Sequence, residues 1–144
     1  MDCMTTTTYA SAELSRAECL ALLPTADFGR LVCTEGALPA VLPVAFVLDP
    51  AGIVIRTAPG STVARVADGS IVALQADDVD PLRRSGWSVT VVGRARTVRD
   101  AVELERLEAL PLTPWVAGDR STFVVVEVGI VTGRRIGGPT PVPA

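Results

Sequence analysis

The chain has 144 residues, 49% of them apolar, which suits one domain with a real core and leaves little room for two. Thirteen basic and sixteen acidic residues give a net charge of −3, so no broad basic surface for nucleic acid or anionic lipid is expected, and 4% aromatics is too few for a base-stacking platform. Every basic residue is Arg, and the absence of His removes the usual general base, the commonest metal ligand and the Ser-His and Cys-His nucleophile pairs.

The N-terminal run MDCMTTTTYASAE has no apolar centre, so no secretory signal is read there and a cytoplasmic protein is expected. Residues 1–13 are Thr-rich and read as a flexible arm. Ser15 and Glu18 have capping-box spacing, and Leu14, Cys19, Leu20, Leu22 and Leu23 follow before Pro24, so a short amphipathic helix is predicted over 16–23. Cys3, Cys19 and Cys33 are odd in number and widely spaced; with no CxxC and no His they read as reduced thiols and not as a metal site.

Phe28 to Thr34 reads as a strand closed by a turn at Glu35-Gly36. Pro39 to Leu48 is a second strand, and Asp49-Pro50-Ala51-Gly52 a turn that returns the chain as a third strand, Ile53 to Thr57. Pro39, Pro43, Asp49 and Pro50 break the apolar stretch 37–55, so it is not read as a membrane span. Thr62 to Ala67 reads as a short helix and Ser70 to Ala76 as a fourth strand. An acidic loop over 77–81 leads to a long strand, Trp87 to Val98. Asp100 with Glu103 caps a helix carrying Val102, Leu104, Leu107 and Leu110, ended by Pro111 and Pro114. Thr122 to Val131 is the last strand, and a Gly- and Pro-rich tail follows Ile136.

Six strands with few helices predict a mainly β fold, a six-stranded antiparallel barrel with short flanking helices. Long apolar strands leave edges that need cover, and a second copy of the chain is one way to supply it.

The most informative stretch is Ile55-Arg56-Thr57-Ala58-Pro59-Gly60-Ser61-Thr62-Val63-Ala64-Arg65. A strand ends in Arg and Thr, a Gly turn follows, and two hydroxyl residues open a helical turn. Free N–H groups at such a start attract anions, and Arg56 offers a fork suited to phosphate oxygens. The same pattern also describes a plain helix cap. Trp87 in Ser85-Gly86-Trp87-Ser88-Val89 reads either as core or as a site residue. Pro43 in Leu42-Pro43-Val44-Ala45-Phe46 marks an edge strand or frees neighbouring backbone groups to bond a planar heterocycle.

Several short pieces, in order and at matching spacing, resemble the pyridoxamine 5′-phosphate oxidase-like flavoproteins, in the branch related to nitroimidazole-resistance proteins. They are Phe28-Gly29-Arg30-Leu31, Leu42-Pro43-Val44, Ile55-Arg56-Thr57-Ala58-x-Gly60-Ser61, Gly86-Trp87-Ser88-Val89 with Gly93-Arg94-Ala95, and Thr132-Gly133-Arg134-Arg135. The resemblance spans residues 14–136 and implies a Greek-key split-barrel domain over that range, with a tail at 137–144. It implies a homodimer with FMN in a groove between the subunits.

By that resemblance Arg56, Thr57, Ser61 and Thr62 lie near the phosphate and ribityl chain. The backbone around Pro43, Val44 and Ala45 lines the ring, and Trp87 and Ser88 approach it. Thr62 departs from the family's usual basic residue, so Arg65, about one turn on, or Arg56 is expected to compensate. A ligand other than FMN, such as a deazaflavin or haem, is the alternative. The resemblance implies an FMN-dependent oxidoreductase acting on a small molecule, the alternative being a non-catalytic module that binds or senses a flavin. No acid–base residue is assigned. A pyridoxamine phosphate oxidase in the strict sense is not expected, because no His-containing C-terminal motif is present. Arg134 and Arg135 are candidate contacts for an anionic substrate or a solvated pair.

Overall fold

The structure, a computed structural model, describes residues 9–113 and 118–139. In chain order they form β1 (Tyr9–Glu13), α1 (Arg16–Leu22), a 3₁₀ turn (Leu23–Thr25), β2 (Phe28–Glu35), β3 (Leu38–Asp49), β4 (Gly52–Thr57), α2 (Thr62–Ala67), β5 (Ile71–Asp80), β6 (Ser85–Thr97), α3 (Ala101–Glu108), β7 (Thr122–Val126) and β8 (Ile130–Pro139). Cys3, the first eight residues of the expected arm, Pro114 and the tail beyond residue 139 lie outside the described residues.

Six strands close on themselves in the order β6-β5-β2-β3-β4-β7, with β7 returning to β6 and every pairing antiparallel. The mainly β, split-barrel expectation holds. β8 and then β1 extend the sheet from β6. β6 makes this possible because one of its edges is shared: residues 86–92 pair with β8, whereas 95–97 pair with β7. The junction is Gly93, where a Cβ would collide with the carbonyl of Glu127 as the chain crosses between the two strands.

Three local readings differ from the structure. The last strand is divided into β7 and β8 by residues 127–129, where the pairing with β6 slips by one residue between Ala95–Val126 and Val92–Ile130. The acidic 77–80 segment belongs to β5, because Asp77, Asp78, Val79 and Asp80 pair with Ser88, Trp87, Gly86 and Ser85. Residues 9–13, at the end of the Thr-rich arm, lie on β8 as β1, with Ser11, Ala12 and Glu13 opposite Ile136, Arg135 and Arg134. Each difference depends on a partner strand distant in sequence.

The local signals placed the rest. Ser15 and Glu18 form a reciprocal capping box at α1. In the β3–β4 turn the Asp49 carboxylate accepts from the Ala51 N–H at 2.9 Å. Asp100 caps α3 by accepting from the Glu103 N–H, but the Glu103 side chain turns away to Arg96.

Two apolar clusters hold the fold. The barrel interior is filled by Leu31, Phe46, Ile53, Ile55, Leu74, Val89, Val91 and Val124, joined by Cys19 and Leu23 and by Val63 and Ala67 of α2. A second cluster lies outside the ring, where Leu107 of α3 and Leu112 cover Val54, Phe123 and Val125. β4 and β7 are thus buried on both faces, which is why they read as unbroken apolar runs. Each large aliphatic side chain so buried contributes about 1.5–3 kcal/mol.

Candidate functional site

The strand-to-helix turn after β4 has the local geometry its residue types suggest. Gly60 takes φ +71°, a left-handed conformation that costs other residues more. Ser61 is extended and caps α2 by accepting from the Ala64 N–H at 3.2 Å. Its hydroxyl also meets that of Thr57 at 2.8 Å, so Thr57, buried at the end of β4, is tied to the turn. Arg65 lies one turn on and is loosely held, 3.3 Å from the Thr62 hydroxyl and 3.5 Å from Glu35.

Arg56 is more firmly committed. Its Nε donates to the Arg120 carbonyl at 2.7 Å, and its guanidinium stacks on Phe123, 5.2 Å from the ring centre. This fixes the plane of the fork. Neither Nη has an acceptor within hydrogen-bond range among the described residues. Hydroxyls, an exposed arginine and an oriented guanidinium make a donor set that fits a phosphate; the opposing carboxylate nearby is Glu35.

Alternation along the strands sorts the remaining candidates by face. Val44 and Trp87 are 7% and 6% exposed and point into the barrel, so only their backbones are open to a ligand. Pro43, Ala45 and Ser88 point outwards. Arg56 is on the outer side as well and continues the β3–β4 ladder beside Ala45, following the Phe46–Ile55 pair. In register, Pro43 lies opposite Arg30, Arg30 opposite Gln75, Gln75 opposite Thr90, and Thr90 opposite Thr132. Thr57, Ser61, Thr62 and Arg65 cluster at the turn, while Ser88 lies four strands away from Arg56. The ring also connects β4 to β6 through β7 alone, so their strands are two apart by that route.

One polar network was not anticipated. Arg30 donates to Gln75 at 3.1 Å and lies 3.4 Å from Asp77. The Gln75 amide donates to Asp77 at 2.8 Å and to Ser88 at 3.2 Å. The signal was a single polar residue, Gln75, in the apolar run Ile71 to Ala76. Next to this network runs an apolar row on the same outer face. Val41 is opposite Val32, Val32 opposite Ala73, Ala73 opposite Val92, and Val92 opposite Ile130. Val41 and Ile130 are 61% and 66% exposed.

A groove of about 510 Å³ opens beside Ser88, between β6, β8 and the end of β1, lined by Glu13, Leu14, Thr90, Thr132 and Arg134 among others. Burial raises the thiols of Cys19 and Cys33, so neither is a ready thiolate nucleophile.

The split barrel agrees with the folds of known proteins that this chain resembles. A family model described as pyridoxamine 5′-phosphate oxidase matches residues 15–135. The chain belongs to this family. An uncharacterized protein of Mycobacterium tuberculosis, Rv0080, is 43% identical over 129 residues, which cover 86% of this chain and 84% of that protein. The FAD binding protein of Mycobacterium smegmatis is 35% identical, with a TM-score of 0.76 over 88% of this chain and 98% of its own. A conserved protein of unknown function from Corynebacterium diphtheriae is 31% identical, with a TM-score of 0.74 over the same two shares. No helix among the described residues is long and apolar enough to cross a membrane.

Proposed function

We propose that this member of the pyridoxamine 5′-phosphate oxidase family binds a flavin, FMN, as a cytoplasmic homodimer, and that it is an FMN-dependent oxidoreductase on a small molecule. One observation carries the reading. Arg56, Ala45, Pro43 and Ser88 share an outer sheet face with the apolar row Val41-Val32-Ala73-Val92-Ile130, whose ends Val41 and Ile130 are exposed and whose middle is half-buried in a single chain. A second copy laid on that row would bury it and roof the face that holds these residues. The 35% identity to a FAD binding protein supports flavin as the ligand class.

In this reading Thr57, Ser61, Thr62 and Arg65 hold the phosphate, with the Nη edge of Arg56 turned towards it. The backbone at Pro43, Val44 and Ala45 borders the ring, and Trp87 and Ser88 close it from the other side. A bound flavin supplies the hydride or electron chemistry; the chain binds, orients and shields it. The missing His is compatible with such a role.

The test is an absorbance spectrum of the purified protein with and without added FMN, with sedimentation run in parallel. A dimer that takes up FMN and is reduced by a nicotinamide donor supports the proposal. A protein that stays colourless with every flavin removes it, and a dimer that binds FMN without turnover is a binding module.

A second reading is FAD. A terminal phosphate carries close to two negative charges, whereas each phosphate of a pyrophosphate diester carries one. Thr62 leaves the turn one cation short, which is less costly for FAD. Competition between FMN and FAD in the same titration decides between them.

A further inference from the structure

Arg56 does not set its own orientation. Its Nε donates to the main-chain carbonyl of Arg120 at 2.7 Å, and its guanidinium stacks on Phe123. Both supports come from the segment that enters β7, and that segment runs beside the turn after β4. In the β4–β7 ladder Arg56 is opposite Phe123 and Thr57 is opposite Thr122. Continued outwards, this antiparallel register sets Ser121 beside Ala58 and Arg120 beside Pro59. Those are the first residues of the turn that Gly60 and Ser61 complete. The approach to β7 is itself pinned, because the Asp119 carboxylate accepts from the Ser121 N–H at 3.0 Å.

The Arg120 side chain, by contrast, is uncommitted. It is half-buried, and its hydrogen-bond contact among the described residues is the Asp119 carbonyl at 3.5 Å, too long to hold it. Seven other arginines lie within 4 Å of a carboxylate; among the described residues neither Arg56 nor Arg120 does. Two arginines that meet without a counter-charge leave a positive edge on which an anion is stabilised. The turn has use for that charge. Thr62, the first residue of α2, is neutral, and Arg65 leans on Glu35 at 3.5 Å.

We infer that the side chain of Arg120 is a second cation of this turn, closing with Arg56 on the ligand's phosphate, and that it makes the chain select phosphorylated flavins over riboflavin. This rests on the flavin reading for the identity of the ligand, but not for the phosphate contact. The two parts of Arg120 then act separately. The carbonyl that orients Arg56 survives a change of side chain, so Arg120→Ala removes one charge and leaves the Arg56 bond in place.

The experiment titrates the full-length parent, Arg120→Ala, Arg120→Lys and the double variant Arg120→Ala with Thr62→Arg. FMN and riboflavin are followed by fluorescence quenching, and inorganic phosphate by line broadening in phosphorus NMR. Arg120→Ala should weaken FMN about tenfold and leave riboflavin and the melting temperature unchanged. Arg120→Lys should recover part of the loss, and Thr62→Arg should restore it by returning a cation to the turn. FMN affinity unchanged in Arg120→Ala, equal weakening of FMN and riboflavin, or a parent that binds both flavins equally overturns the inference.

Failure of the flavin reading shows differently. If neither flavin binds but phosphate binding is lost in Arg120→Ala, the flavin falls and the anion contact stands. If phosphate does not bind the parent either, both fall.

Discussion

Arg106 of α3 clasps the carboxylate of Asp49 through both oxygens, at 3.0 and 3.2 Å, and Asp49 sits at the tip of the β3–β4 hairpin with its side chain 4% exposed. The pair joins elements 57 residues apart and fastens the helix over the outer apolar cluster. A second clasp, Arg96 to Glu103, does the same from β6. Glu103 and Arg106 of α3 are therefore committed to structural ion pairs.

Replacing Asp49 with Asn removes two charge-assisted bonds and one charge while keeping the shape. The expected cost is about 1–3 kcal/mol, read as a lower urea midpoint with an unchanged slope. Flavin affinity should not move, because the turn after β4 is untouched.

Three carboxyls that tie distant segments together, besides Glu18 of the α1 capping box, shape the pH dependence of stability. The hydrogen bonds from Arg106 lower that of Asp49, those from Arg96 lower that of Glu103, and the Thr97 N–H with Arg99 lowers that of Asp68. Each is depressed in the folded state, so its stabilisation is complete above the unfolded value of about 4 and is lost as pH falls through the folded value. Melting temperature should be flat from about pH 5 to 8 and drop below about pH 4. Asp49→Asn should approach the parent as the pH drops. A gap that widens in acid would contradict this assignment.

Gly93→Ala should cost about 1–3 kcal/mol or more, since its methyl meets the Glu127 carbonyl at the point where β6 changes partners. Gly36→Ala is the contrast: nothing lies near its Cβ, and a φ of +56° leaves only the backbone cost of about 1 kcal/mol. Thermal melts of the two variants should rank them in that order.

Val41→Arg tests the apolar row. Val41 is 61% exposed in the isolated chain, so the variant should fold with near-parent stability. Its sedimentation coefficient should fall to that of a monomer if the row is the dimer face. An unchanged dimer would place the interface elsewhere.

At the turn after β4, Arg65→Ala should weaken FMN about tenfold and Thr62→Arg should tighten it by a similar factor, both read by fluorescence quenching. Arg56→Ala should weaken FMN more than Arg134→Ala does. Because Arg56 also stacks on Phe123, its melting temperature must be measured alongside.

The residues by themselves determined what is decided within a few positions. Ser15 with Glu18, Asp49-Pro50-Ala51-Gly52, and Gly60-Ser61 each close a turn or start a helix through bonds three or four residues long, and their placements were legible. The alternation of apolar residues was enough to make the fold mainly β and to propose a barrel. Tertiary structure alone decided register, because a strand pairs with whatever the rest of the chain brings beside it. It drew residues 77–80 into β5, divided the last strand at residues 127–129 and laid Ser11 to Glu13 on β8. It turned Trp87 and Val44 inwards and brought Val41, Val32, Ala73, Val92 and Ile130, from five separate strands, into one row. No local spacing encodes that row, since its members are neighbours only through cross-strand hydrogen bonds.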